Sequence, residues 1–374
     1  MAEFLYIHIP FCVKKCLYCD FLSVPYDGGL AERYVDALCC ELKLRKRSLG
    51  ELKAVYVGGG TPSILSDSGL KQLFDCVKDN LRVSPVAEIT VEANPGTLNE
   101  SGIRRMLSAG INRISMGVQS FNDRELKALG RVHSADEARL SAELIKGSGL
   151  ENLSLDLMYG IPGQTLGTWQ KTLAAAVGLS PSHISAYELT PEKGTPIYTY
   201  ISSGSVSLPD EDVVIEMYEY AIDYLASAGY DHYEISNFAV PGAECLHNLN
   251  YWNRGDYVGA GAGAHSFVQG MRSANAGNIE EYLSRLNDAV LPDGDPHLVS
   301  PPEAAKEFLF LGLRKREGID IREAADKGID ITTRCREMFD RGYLTAKGTR
   351  VSLTGKGLVI SNTVIVRLFE LLGL

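Results

Sequence analysis

The chain has 374 residues, 45% of them hydrophobic and 22% charged, with a formal net charge of −10. That length allows two or three domains with substantial cores. The acidic balance disfavours broad electrostatic binding to nucleic acid, and no stretch approaches the roughly 20 apolar residues of a membrane span, so no integral membrane segment is expected. The first predicted strand, Phe4–Ile9, follows residues with no basic region and no long apolar core, so a signal peptide is not expected. Further β-like runs follow at Ala54–Val57, Glu88–Glu92, Arg113–Val118, Leu153–Met158 and His183–Ala186. Amphipathic helical patterns separate them, among them Ser68–Asn80, Asn99–Ala109, Ser134–Gly147 and Thr165–Leu179. Ser134 followed three residues later by Glu137 has the spacing of a capping box. Such alternation predicts an α/β fold with a parallel sheet and crossover helices, doubly wound or a partial barrel, with ligands gathered at the C-terminal strand ends.

Pro209–Ala228 reads as one longer helix closed by Gly229. Residues 230–277 are rich in Gly, Asn and aromatics with weak periodicity, the pattern of a functional loop region. A helix near Asn278–Val290 precedes a proline-marked linker at 292–302. The tail opens on Ser300-Pro301-Pro302-Glu303. It continues with a helical Thr332–Arg341, a small hairpin of Tyr343-Leu344 with Val351-Ser352-Leu353, and a closing helix Ser361–Leu372. Helices with a two-stranded wing predict a winged-helix-like α+β domain. Its 13 Lys/Arg against 10 Asp/Glu are too balanced to argue for DNA. The expected divisions are therefore 1–230, 231–299 and 300–374.

The chemistry begins ten residues in. Cys12, Cys16 and Cys19 form Cys-x3-Cys-x2-Cys directly after the first strand, with no fourth cysteine nearby. Three close thiolates suit three corners of a four-iron cluster and leave one iron open, as catalytic metal sites keep an open position. A zinc knot is the competing reading; His8 or Asp20 would have to be the fourth ligand, and neither has finger spacing. Cys39, Cys40, Cys76, Cys245 and Cys335 read as buried small hydrophobes. Eight cysteines without an export signal point to a reducing cytoplasm.

Gly58-Gly59-Gly60-Thr61-Pro62 follows the second strand, where glycines let backbone amides approach a ligand, or simply make a tight turn. The later Gly259-Ala260-Gly261-Ala262-Gly263 is followed by no clear helix and is not a dinucleotide fingerprint. Glu92 ends the third strand, where an acid can accept ribose hydroxyls. Gln119 ends the fourth, and Asp156 lies on the fifth. Polar groups at three successive strands beside a cysteine loop form a candidate site.

These residues together resemble the radical S-adenosylmethionine superfamily. The resemblance implies a partial (β/α)6 barrel, a [4Fe-4S] cluster on Cys12, Cys16 and Cys19, and S-adenosylmethionine held on the open iron for reductive cleavage to a 5′-deoxyadenosyl radical. Four further segments are similar to the oxygen-independent coproporphyrinogen III oxidase family. They are Tyr6-Ile7-His8-Ile9-Pro10-Phe11-Cys12, Tyr18-Cys19-Asp20-Phe21, Gly117-Val118-Gln119-Ser120-Phe121 and Tyr159-Gly160-Ile161-Pro162-Gly163-Gln164-Thr165. Carried over residue by residue, Tyr6, Gly59, Gly60, Thr61, Glu92, Gln119, Arg131 and Asp156 would contact S-adenosylmethionine.

Two departures separate the chain from the oxidases. Phe21 stands where they carry a further cysteine, and the first strand starts almost at once instead of after an extension. Both resemble the sister branch of heme chaperones, which has a His-Asn-x-x-Tyr-Trp motif, here His247-Asn248-Leu249-Asn250-Tyr251-Trp252. Imidazole is a common axial ligand of heme iron, and Tyr251 and Trp252 would offer flat apolar surface to a porphyrin. His247 is the expected heme contact and His265 a second candidate. Ala243 and Leu246 stand where relatives often have His and Arg. The expected function is heme binding and transfer to an acceptor protein, with a flavodoxin- or ferredoxin-like reductant. The rivals are coproporphyrinogen oxidation and RNA modification.

Overall fold

β1 (Ala2–Ile9), β2 (Leu49–Gly59), β3 (Arg82–Ala93), β4 (Arg113–Gln119), β5 (Asn152–Tyr159) and β6 (His183–Glu188) form the parallel heart of a computed structural model describing all residues, Met1–Leu374. Apart from the exposed start of β3, they are buried on both faces over most of their length, which is why they read as apolar runs rather than as alternations. Crossovers are made by helices including α1 (Gly28–Arg45), α2 (Asp67–Asn80), α3 (Glu100–Ser108), α4 (Ala135–Gly147) and α5 (Leu166–Gly178). Ser134 and Glu137 make the expected reciprocal capping box at the start of α4. Helix α6 (Glu211–Ser227) begins at Glu211 rather than at Pro209, with Asp210 at the N-cap.

The stretch 230–277 is more regular than its composition predicts. It supplies β7 (Asp231–Glu234), β8 (Asn237–Ala239), helix α7 (Leu246–Trp252), β9 (Val258–Ala260), β10 (His265–Val268) and β11 (Met271–Ala274). Strands of three or four residues are too short to show a period. The nine-stranded order is β9-β1-β2-β3-β4-β5-β6-β8-β7. β9 runs parallel to β1, whereas β8 and β7 add antiparallel pairs beyond β6. The same stretch therefore finishes both edges of the sheet. A buried clamp holds it from α1: Glu41 accepts from Arg45 Nε (2.7 Å), Asn275 Nδ2 (2.7 Å), Tyr282 Oη (2.7 Å) and the Gly261 amide (2.8 Å). Tyr282 belongs to α8 (Ile279–Asn287).

The C-terminal unit opens on α9 (Pro301–Gly312), capped reciprocally by Ser300 and Glu303. Its sheet has three strands rather than the two of the predicted hairpin, because β12 (Ile319–Asp320) pairs beside β14 (Arg350–Leu353), which pairs with β13 (Leu344–Lys347). The expected helix Thr332–Arg341 is two short turns, Ile331–Arg334 and Arg336–Asp340. Cys335, with φ −105° and ψ 22°, interrupts them. α10 (Ser361–Leu372) closes the chain. Backbone bonds from Ile235 N to Arg314 O (2.9 Å) and from Arg316 N to Tyr233 O (3.1 Å) join this unit to the sheet edge. No helix is long and apolar enough to cross a membrane.

Candidate functional site

Beyond β1 the chain pairs Phe11–Cys12 with Val24–Pro25, so the cysteine loop is closed at its base by Tyr26 N bonding Cys12 O (2.9 Å). Its middle is pinned by Leu17, whose N–H donates to Leu129 O (3.0 Å) and whose carbonyl accepts from Ile197 N (3.0 Å). Gly130 makes that contact feasible: it has φ +73°, and a Cβ there would stand 2.7 Å from Leu17 Cγ. The three thiols are not drawn into a coordinating group by the protein alone, but all three line one cavity of about 420 Å³.

That cavity also receives Gly59, Gly60, Thr61, Glu92, Gln119, Arg131 and Asp156. Their spacing in sequence is large; the parallel strands bring them together because each stands on or just beyond a neighbouring strand. A chain of hydrogen bonds joins them to the thiols. Arg131 Nη1 donates to Cys16 Sγ (3.4 Å), and its Nη2 donates to Gly117 O (2.5 Å) and Asn94 Oδ1 (2.5 Å). Asn94 Nδ2 donates to Thr61 Oγ1 (2.8 Å), which in turn donates to Cys12 Sγ (3.7 Å). A cation thus stands beside one sulfur and a hydroxyl beside another. Burial pushes the Cys19 thiol up, with the Phe21 backbone opposing it.

Glu92 accepts from Tyr56 Oη (2.8 Å) and from the Gly59 amide (3.0 Å). Burial pushes its carboxyl up to about 7, with the Tyr56 bond opposing and the nearby Asp156 adding. Gly58 lies close beneath it: a Cβ there would stand 2.9 Å from that carboxylate, which would have to shift. Asp156, also raised by burial, accepts from Ser115 (2.9 Å), Ser185 (2.9 Å) and Ser154 (3.2 Å). Gln119 has φ +66° at a register break in β4. Left-handed backbone at a non-glycine residue costs about 1–3 kcal/mol and clusters at functional sites.

Tyr6 lies elsewhere. It lines a second cavity of about 630 Å³, with His8, Asp20, His247, Tyr251 and His265. Its hydroxyl is 3.0 Å from His8 Nδ1, and His8 Nε2 is 2.9 Å from Leu22 O. Both nitrogens of His8 thus have partners within the protein. Phe21, Tyr56, Glu92, Tyr187 and Asn248 line both cavities, so the two adjoin.

His247 sits in the first turn of α7 and is 1% exposed. Glu88 holds that turn from β3, accepting from Leu246 N (3.2 Å) and His247 N (3.4 Å). The imidazole stacks on Tyr56 (5.0 Å, 25°) and meets the edge of Tyr251 (4.7 Å). Nε2 is 2.9 Å from Tyr251 Oη, while Nδ1 is buried without a partner. Burial, then the charge of Arg113, pushes the ring down to about 3, so it is neutral at pH 7. Tyr251 and Trp252 do not make one flat surface: Tyr251 lines the cavity, whereas Trp252 lies against Arg314, 5.8 Å away. Successive helical residues face different ways.

Asn94, Tyr56, Glu88, Arg113 and the serines around Asp156 are not picked out by the sequence. Asn94 carried a faint mark, an Asn-Pro step just past a strand; the others are ordinary strand positions.

Residues 6–176 match the family model described as the radical SAM superfamily, and residues 299–360 match the HemN C-terminal domain. The chain is 37% identical over 367 residues to a Bacillus subtilis protein named heme chaperone HemW, covering 96% of this chain and 97% of that one. It is 45% identical over 267 residues to the Escherichia coli protein of the same name, covering 71% and 70%. Among solved structures, the radical SAM coproporphyrinogen III oxidase HemN of Escherichia coli superimposes with a TM-score of 0.84 at 20% identity, covering 98% of this chain and 90% of that one, a likeness of fold. The chain belongs to the radical SAM superfamily, within the HemN-like family and on its HemW branch.

Proposed function

We propose that this protein is a heme chaperone: it binds heme in the His247 cavity and passes it to an acceptor protein. The supporting observation is the pair of adjoining cavities, one lined by three thiols and strand-end polar groups, the other by aromatics and three histidines. Cys12, Cys16 and Cys19 would hold a [4Fe-4S] cluster. The donors would be the three sulfurs lining one cavity, a thiolate set of the kind such clusters use, with the Arg131 cation beside one of them. Gly59, Gly60, Thr61, Glu92, Gln119, Arg131 and Asp156 would hold S-adenosylmethionine, with Tyr6 behind Tyr56, its ring stacked at 6.2 Å. Cluster and cosubstrate together supply one-electron reductive chemistry when bound.

The chain's own residues have separable tasks. Arg131 and Thr61 steady two of the sulfurs. Glu92, half protonated near neutrality, accepts ribose hydroxyls. His247 offers a neutral imidazole, whose Nε2 becomes free to ligate iron once Tyr251 turns away. His265, on the exposed side of the same cavity, is the second candidate ligand. The stretches 1–230, 231–299 and 300–374 would divide the tasks as cofactor core, heme segment and partner-facing unit, with a small redox protein as reductant.

The test is anaerobic reconstitution of the full chain, heme titration with and without S-adenosylmethionine, and a parallel coproporphyrinogen oxidase assay. Saturable heme binding that is lost in His247→Ala, with no oxidase product, supports the reading. Heme absorbance unchanged in His247→Ala removes that residue, and product formation overturns the chaperone reading.

A further inference from the structure

Arg113 is the first residue of β4, 1% exposed, and lines the cysteine cavity. Its Nε and Nη1 are buried and have no hydrogen-bond partner. Buried charges are ordinarily paired and hydrogen-bonded, because an isolated one carries a heavy desolvation penalty. Glu88 offsets part of its charge through space, but none of the surrounding acids hydrogen-bonds its Nε or Nη1. Glu88 accepts from the backbone of α7, Glu92 from Tyr56 and Gly59, and Asp156 from its serines. His183 and Tyr233, which also flank this arginine, bond each other at 2.8 Å.

A guanidinium offers parallel donors matched to a carboxylate. The position suits a ligand that comes from the neighbouring cavity: Asn248 and Tyr187 line both, so a body lying beside His247 can extend an arm past them. We propose that Arg113 receives a side-chain carboxylate of a tetrapyrrole whose ring occupies the His247 cavity. This rests on the heme reading above. The carboxylate of S-adenosylmethionine offers the same chemistry, and the two sources are separated by the choice of probes.

The experiment titrates ferric heme and its dimethyl ester into the cluster-reconstituted full chain, as wild type, Arg113→Gln and Arg113→Lys, with a parallel S-adenosylmethionine titration. Wild type is expected to bind heme about tenfold or more tightly than the diester, as suits a charge-assisted contact. Arg113→Gln is expected to bind both alike while keeping its S-adenosylmethionine affinity, and Arg113→Lys to retain part of the preference. Equal binding of heme and diester by wild type overturns the proposal, as does a preference that survives in Arg113→Gln. Loss of S-adenosylmethionine affinity in Arg113→Gln assigns the carboxylate to the cosubstrate and equally overturns it. If wild type binds neither porphyrin, the heme reading itself fails. Should Arg113→Gln not fold, the wild-type ester comparison and Arg113→Lys decide.

Discussion

Glu92→Gln is the most informative single substitution at the cofactor cavity, because its effect should change with pH in a calculable way. The folded protein keeps the Glu92 proton up to about pH 7, whereas the unfolded chain releases it near the ordinary 4.5. Between those values the folded state binds more protons, so stability falls as pH rises through the window. At 1.36 kcal/mol per pKa unit, the full penalty on the charged form is about 3 kcal/mol. Part of it is already present at pH 5.5, so the loss between pH 5.5 and 8 is about 2 kcal/mol. Glutamine removes the titration, keeps the volume and retains one acceptor for Tyr56 or Gly59; losing the other bond costs about 1 kcal/mol at every pH. Urea unfolding of the cofactor-free protein at the two pH values reads the difference. The stability of Glu92→Gln relative to wild type should rise by about 2 kcal/mol from pH 5.5 to 8. A difference that stays constant would refute the burial argument for this carboxyl.

Gly60→Ala places a Cβ 2.5 Å from Phe11 O. This should cost about 1–3 kcal/mol and, by shifting the strand that carries Cys12, lower iron per chain after reconstitution; Gly147→Ala, with open space around it, is the control. Arg131→Met leaves Asn94 Oδ1 and Gly117 O without their donor. A loss of about 3 kcal/mol in urea unfolding is expected, with iron loading reduced as well. Glu41→Ala removes the shared acceptor of Arg45, Asn275, Tyr282 and the Gly261 amide while Arg45 keeps Asp293 and Asn275, for an expected loss of about 3 kcal/mol; an unchanged thermal midpoint would show that the clamp is redundant.

The β/α alternation was legible because each unit is long, apolar and separated by capped helices such as the one that Ser134 opens. The cysteine triad and the glycine run were legible because their chemistry is local in sequence. Less could be read where the determinants are distant. Helix α1 starts on Gly28-Gly29, poor helix formers, and depends on the Asp27 side chain accepting from Leu30 N at 2.8 Å. Helix α7 has no side-chain cap of its own and relies on Glu88, more than 150 positions earlier. The second turn of the expected helix Thr332–Arg341 separates at Cys335, where tertiary packing overrides pattern. Asn94, Arg113 and Ser115 acquire meaning only once neighbouring strands converge on one cavity.

The stretch that carries His247 also finishes the sheet on both sides and is gripped by Glu41. It is therefore not a detachable cassette. Transplanting the His-Asn-x-x-Tyr-Trp segment into another barrel would bring the imidazole but leave its scaffold behind, and trimming it away would leave β1 and β6 as raw borders open to pairing with other chains. Its strands β9 and β8 pair with β1 and β6 of the same sheet that frames the sulfur-lined cavity, so the two chambers share one scaffold.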